Sequence, residues 1–273
     1  MPAQTEAYEA PAIRAYGIIL RSWRERANLT KLELAETLGY TPQLIGQLEA
    51  AKNIPSEKFS EDLDTFFKTG GLFVELWKLI KDTRHLIALP PGFSKYLELE
   101  RTAARIYKFE ALLVSGLFQT EDYARAIMSS PLTPDVIDGI LQARMERKEA
   151  FNRPAPPRIS FIIEESALRR VIGSPEILRQ QLAYLLELSE RANINIQVLP
   201  QDTEHYVAFS GSFTILGFDD EPDLAYIEAA GQGNLIAGAA SVANCAMRYD
   251  LLRSHAYSVA ESRRIIRKLM ENL

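Results

Sequence analysis

The sequence predicts a mostly α N-terminal domain of about five helices, followed by an α+β C-terminal domain with a small, mostly antiparallel sheet. Three observations predict it. Residues 29–56 carry two short helix signatures around a single glycine, the pattern breaks at Leu89-Pro90-Pro91-Gly92, and beyond that break short β-prone runs alternate with amphipathic stretches. The expected organisation is therefore a mobile arm at 1–12, a helical domain at 13–88 and an α+β domain at 89–273.

Composition agrees with two globular domains. The chain has 273 residues, 47% apolar and 25% charged. No apolar run approaches bilayer length, and the opening MPAQTEAYEAPA lacks a basic stretch followed by an apolar core, so a cytoplasmic protein with no membrane partner is expected. The lone Cys245 excludes an intrachain disulfide and a cysteine-based zinc site; in an alanine-rich stretch it reads as small buried filler.

In the helical domain, residues 14–27 form the first predicted helix, with Ile18, Leu20 and Trp23 as core contacts. Thr30 can cap the next helix while Glu33 reaches back to it, and Leu34, Ala35 and Leu38 form its apolar stripe. Gly39 can take the positive φ that ends this helix, and Thr41-Pro42 restarts the chain as a second one. That helix turns Leu44, Ile45 and Leu48 inward and leaves Gln43, Gly46, Gln47 and Ala50 on its other side. Ala35 is small where the two helices cross, so the pair reads as a helix-turn-helix. Two further helices follow, split at Gly70-Gly71, with Phe59, Leu63, Phe66 and Phe67 on one and Leu72, Phe73, Leu76, Trp77, Leu79 and Ile80 on the other. The second is too apolar to stand free, which leaves Phe73 and Trp77 either at a subunit interface or packed within one chain.

These residues resemble the xenobiotic-response-element (XRE) class of helix-turn-helix regulators, through LRSWRERANLT, LAETLGYT, LIGQLE and the closing Ile54-Pro55-Ser56. The resemblance implies a homodimer on double-stranded DNA and an ion pair between Arg24 and Glu49 that sets the angle of the first and third helices. It also implies that the second helix of the motif enters the major groove, with Thr41, Gln43, Gly46 and Gln47 near base edges or phosphates and Lys31 and Lys52 on the backbone. A net charge of −5 runs against DNA binding unless basic residues gather on one face, for which Arg14, Arg21, Arg24, Arg26 and Lys31 are available. Glu57, Glu61, Asp62 and Asp64 follow at once, and the customary basic run is reduced to Ala50-Ala51-Lys52-Asn53-Ile54. Gly46 and Gln47 also stand where relatives usually carry Ser and Arg. A helical hairpin with no nucleic-acid partner is the competing reading.

Beyond the break, residues 96–107 read as helical, with a strand at 105–110, a turn at Ser115-Gly116, and a helix capped by Thr120 carrying Tyr123, Ala124 and Ile127. A longer helix at 134–152 sets Arg144 and Arg147 on one face and ends at Pro154, Pro156 and Pro157. Strands are predicted at 158–163, 194–199, 211–218 and 224–228, helices at 174–191, 241–254 and 258–272, and the sheet is expected to be covered by helices on one side. Glu110, Gly116-Leu117, Gln119-Thr120, Tyr123-Ala124, Arg144, Arg147, Glu164-Glu165, Ala167-Leu168, Gly173, Gln181-Leu182, Gly211, Phe213, Tyr226, Glu228 and Ser262 resemble the effector half of actinobacterial regulators of the antitoxin-like WhiJ and AbaA type. That resemblance implies a small partner protein encoded nearby.

Catalytic and metal chemistry find little support. His85, His205 and His255 are dispersed, and Asp202-Thr203-Glu204-His205 has no nucleophile placed beside it, so it reads as a polar loop. Glu164 and Glu165, adjacent at a strand end, are expected to point apart, one as a helix-start acid and one as a salt-bridge partner. Gly231-Gln232-Gly233-Asn234 reads as a hairpin turn rather than a phosphate loop. The expectation is a non-enzymatic regulator that uses no cofactor. Two function classes stay open: a sequence-specific DNA-binding regulator whose C-terminal domain binds a partner or effector, and an antitoxin-like protein-binding regulator. A small-molecule effector is a third possibility, for which Tyr206, Phe209, Phe213 and Tyr226 would supply walls, although such residues are more often ordinary core.

Overall fold

The computed structural model describes residues 11–83, 92–128, 134–203, 211–229 and 232–273. The chain divides into two compact units, Met1–Leu89 and Pro90–Leu273. Most of the expected mobile arm lies outside the described residues, but Pro11 and Ala12 already belong to the first helix.

The first unit contains α1 (Pro11–Arg26), α2 (Lys31–Leu38), α3 (Pro42–Glu49), α4 (Glu57–Phe67) and α5 (Leu72–Thr83). Local chemistry sets the boundaries. The Thr30 hydroxyl accepts from the Glu33 amide at 3.2 Å while the Glu33 carboxylate accepts from the Thr30 amide at 2.7 Å, closing a capping box on α2. Gly39 ends α2 at φ 76°, and Thr41 caps α3 by accepting from the Leu44 amide at 3.2 Å. Asp64, within the acidic run, caps α5 by accepting from the Phe73 and Val74 amides at 2.9 Å each.

The core of this unit is Ile13, Tyr16, Leu20, Leu34, Ala35, Ile45, Leu48, Phe59, Leu63, Phe73 and Ile80. Ile18, expected inside, is 68% exposed, because Ile13, Tyr16 and Leu20 form the buried stripe of α1 instead. Phe73 is fully buried and meets Tyr16 edge-to-face at 5.5 Å, so it packs within the chain and offers nothing to a partner. Gly17 lets α1 lie against the end of α3. A Cβ built there would sit 2.5 Å from the Leu48 carbonyl oxygen and 3.0 Å from that of Glu49.

The second unit carries a six-stranded mixed sheet of order β3-β2-β1-β4-β5-β6. Its strands are β1 (Arg105–Glu110), β2 (Arg158–Glu164), β3 (Ile194–Leu199), β4 (Phe213–Gly217), β5 (Leu224–Ala229) and β6 (Gln232–Ile236). Around them lie α6 (Phe93–Thr102), α7 (Glu121–Ile127), α8 (Pro134–Glu146), α9 (Glu165–Arg169), α10 (Pro175–Ser189), α11 (Ala239–His255) and α12 (Val259–Glu271), with 3-10 segments at Gly116–Phe118 and Arg147–Phe151.

The expected small, mostly antiparallel sheet is wrong. β1 pairs with β2 and β2 with β3 in parallel, while β1–β4, β4–β5 and β5–β6 are antiparallel. The cause is connectivity: α7 and α8 lie between β1 and β2, and α9 and α10 between β2 and β3. A helical crossover returns the chain to the same end of the sheet, so those strands must run the same way. Gln232, Gly233 and Asn234 are likewise strand rather than turn, with Ala229 opposite Gln232.

Coverage on one side is also overturned. One face carries Ile106, Ile159, Phe161, Ile163, Ile194, Ile196, Val198 and Leu216 against residues of α6, α7, α9, α10 and α12. The other carries Phe109, Ile162, Phe213, Ile215 and Ala225 against Val242, Cys245, Tyr249 and Leu252 of α11. Cys245 is buried there as filler, and burial raises its thiol pKa. Glu165 opens α9 and pairs with Arg169, while Glu164 closes β2.

A polar cluster interrupts the first face. Arg147 forks onto Glu100 with Nε–Oε1 2.8 Å and NH2–Oε2 2.9 Å, and Tyr96 donates its hydroxyl to the same carboxylate. Burial alone would raise the Glu100 pKa, but the Arg147 charge and hydrogen bonds reverse that and hold it below the ordinary carboxylate range.

Two outcomes test this packing. Gly17→Ala should lower stability by about 1 to 3 kcal/mol through overpacking, read as a lower urea midpoint; an unchanged midpoint would mean that α1 and α3 lie further apart. Because its folded pKa is depressed, Glu100 stabilises above its unfolded pKa of about 4.3, and that stability is lost as pH falls through the folded value. Glu100→Gln should therefore flatten the acid limb of a stability–pH profile, and an unaltered limb would contradict the pairing.

Candidate nucleic-acid interface

The helix-turn-helix is built by three contacts on α3. Ile45 and Leu48 fill the core, Gly17 admits the carbonyl end of the helix, and Glu49 is clamped by Arg24. The clamp is bidentate, with Arg24 Nε–Glu49 Oε1 at 2.5 Å and NH2–Oε2 at 3.1 Å, and Arg24 NH1 donates to the Leu29 carbonyl at 2.8 Å. Both side chains are buried, at 9% and 3% exposure, and the Glu49 hydrogen bond raises the Arg24 pKa despite desolvation. The ion pair implied by the first resemblance is thus present. It also removes Arg24 from the cationic face on which it was counted.

The remaining predicted residues sit on or beside the outer face of α3. Gln43 is exposed at the start of the helix and Gln47 half-buried one turn on. The Gln47 Oε1 accepts from Asn53 Nδ2 at 3.3 Å, so Asn53, which sequence reasoning did not single out, orients that amide. Thr41 is exposed, with its hydroxyl used as the α3 cap. Lys31 lies across Gly46, its Nζ 3.7 Å from a Cβ built at that glycine and 3.6 Å from Glu49 Oε2. A Cβ at position 46 would meet Lys31 only at ordinary van der Waals distance. Lys52 is exposed just past the helix.

Of the other cations, Arg14 and Arg26 are exposed and Arg21 pairs with Glu25 at 3.3 Å. The acids that follow are partly structural: Asp62 accepts from Tyr40 at 2.8 Å and from Lys58 at 2.7 Å, and Asp64 caps α5. Of the predicted effector walls, Phe213 and Tyr226 line a cavity in the second unit, whereas Tyr206 and Phe209 lie outside the described residues. His85, Glu204 and His205 lie outside them as well, and His255 is in the last turn of α11. No group of His, Cys, Asp and Glu suited to a metal ion occurs among the described residues. Nor is any helix among them long and apolar enough to cross a membrane.

A capped tri-helical motif with an uncharged polar outer face defines a helix-turn-helix DNA-binding regulator, and residues 15–76 match the family model described as a helix-turn-helix domain. Residues 93–268, more than half of the chain, match the model described as a domain of unknown function (DUF5753), and the chain belongs to that family. No curated protein and no solved structure matches it.

Removing one member of the Arg24–Glu49 pair strands a buried charge. Arg24→Ala should therefore cost about 3 to 5 kcal/mol, whereas Arg24→Met with Glu49→Leu should recover most of it. Thermal denaturation of the three proteins checks this, and a double variant no better than the single one would show that the pair does more than satisfy itself.

Proposed function

We propose that the chain regulates transcription as a homodimer on operator DNA, with α3 in the major groove and the mixed-sheet unit as a sensing or interaction domain. The observation that carries the reading is the outer face of α3, where Thr41, Gln43 and Gln47 present neutral polar groups at an angle set by the buried Arg24–Glu49 clamp. Gln43 and Gln47 suit bidentate contacts to adenine. Lys52, with the exposed Arg14 and Arg26, supplies phosphate contacts, and Lys31 adds to them while steadying Glu49.

A second reading is favoured by the same geometry. Arg24 is buried and Lys31 is held beside Glu49, so few cations are left for phosphates, which suits a chain whose main partner is a small protein encoded nearby. This antitoxin-like reading predicts little DNA binding even at low salt.

A salt-dependent titration against DNA upstream of its own gene, with and without the neighbouring small protein, separates the two. The DNA reading expects a steep salt slope. Gln47→Ala should then weaken binding by roughly 1 to 3 kcal/mol, with the loss confined mainly to one base pair, and Lys52→Ala should weaken all sequences alike and lower the salt slope by about 1. Uniform loss from Gln47→Ala would remove the glutamine from base readout.

A further inference from the structure

The second unit contains a cavity of about 320 Å³ between α6, the segment 112–119, α8 and strands β1, β4 and β5. That volume is at the small end of ligand pockets, which run from about 300 to 1,000 Å³. Three cations face it. Arg147 is forked by Glu100, and Lys108 donates to Thr214 at 2.8 Å and lies 3.3 Å from Glu110. Arg144 differs. Its NH1 donates to the neutral Gln119 Oε1 at 2.6 Å, and among the described residues no carboxylate lies within ion-pair distance of it.

Several features hold Arg144 in that position. Gln119 is itself fixed by donating to the Val114 carbonyl at 2.6 Å. Gly116 leaves room for both guanidinium groups, since a Cβ there would lie 3.2 Å from Arg147 NH1 and 3.6 Å from Arg144 Nε. Ser115, on the same wall and 3% exposed, keeps a buried hydroxyl with no hydrogen-bond partner. Burial and the nearby Arg147 lower the Arg144 pKa to about 10, with Glu228 acting the other way. The lining is otherwise mixed: Leu113, Val114, Ile127, Phe93 and Tyr226 give it an apolar and aromatic wall, and Ser212 and Glu228 are among its polar members.

The other large opening, about 770 Å³ beside the start of β1 and β2, holds its two part-buried arginines in contacts of their own, and its third, Arg158, is exposed to solvent. Its Arg105 is paired with Asp219 at 3.0 Å, and its Arg153 donates to the carbonyls of Arg101, Ala103 and Ala155.

We propose that the smaller cavity binds a small organic monoanion, its carboxylate on the Arg144 guanidinium and its apolar body against the Phe93, Leu113 and Tyr226 wall. Geometry selects a monoanion: Arg144 has no carboxylate at ion-pair distance among the described residues, so one carboxylate can pair with it directly, and a second negative charge would be repelled by Glu110 and Glu228, which line the same cavity. Apolar walls disfavour a bare inorganic ion. The proposal deepens the sensing reading of this unit and is independent of DNA binding.

The test is calorimetry on the full chain without DNA, using benzoate and hexanoate as probes, with benzamide, hexanamide and inorganic phosphate as controls. Saturable binding of at least one carboxylate, absent for its amide and weaker for phosphate, is expected. Arg144→Gln should weaken it by roughly tenfold to a hundredfold, the loss of one charge-assisted hydrogen-bonded pair. Leu113→Trp, which fills the cavity and leaves Arg144 in place, should abolish binding and covers the case in which Arg144→Gln does not fold. No saturable binding by either carboxylate, equal binding of the amides, tighter binding of phosphate, or binding unchanged in a folded variant each overturns the proposal. Carboxylate binding that leaves operator affinity unchanged supports the site and removes its sensing role.

Discussion

In each unit a buried guanidinium forked by one glutamate fixes the position of a helix. Arg24 on Glu49 sets α3 against α1, and Arg147 on Glu100 ties the end of α8 to α6. A buried ion pair adds little net stability over an apolar pair of equal volume, but it penalises every arrangement that separates the charges. The planar fork narrows the permitted geometry further, because only one orientation satisfies both hydrogen bonds. In the first unit this fixes the angle of the presented face. In the second it fixes Arg144, three residues before Arg147 and therefore beside it.

The first unit was legible because its signals are local. Thr30 with Glu33, Gly39, and Thr41 with Pro42 act within one helical turn of themselves, so residue type and spacing place α2 and α3 within a residue or two. What was not legible depends on a distant neighbour. Gly17 is conspicuous only once the α3 carbonyls are known to pass beside it, and Ile18 looks like core until Ile13, Tyr16 and Leu20 are seen to face inward. The function of Asp64 as the cap of α5 was hidden in an acidic run that read as a charged surface.

In the second unit the strands were legible and their directions were not. Alternation finds β3, yet direction is decided by what lies between strands, and the helices separating β1, β2 and β3 were the cue that pointed to parallel pairing. The unbroken run Phe161-Ile162-Ile163 was the matching cue for coverage on both faces, since alternate residues of a strand point to opposite sides and all three are buried. The cavity was hidden more deeply. Glu110, Gly116, Gln119, Arg144, Arg147, Phe213, Tyr226 and Glu228 were each visible in the second resemblance, but only the sheet brings them around one space. That Arg144 alone among the three cations has no carboxylate at ion-pair distance among the described residues is a property of the assembled site.

That solitary cation bears on how the two units could communicate. A guanidinium with its pKa lowered to about 10 is still protonated at neutral pH, so the charge persists and its desolvation is carried by the folded state. An anion in the cavity would relieve that cost, and whatever binds only the folded form stabilises it in proportion to its concentration over its dissociation constant. Stabilisation alone does not signal. For occupancy to alter DNA affinity, the anion must distinguish two arrangements of the chain, because a ligand bound equally well by both shifts neither. The fork beside the site bounds where such a distinction could arise: Arg147 is held by Glu100 of α6, the first helix of this unit, so only an anion that drew on Arg147 as well as Arg144 would compete with the contact that positions that helix.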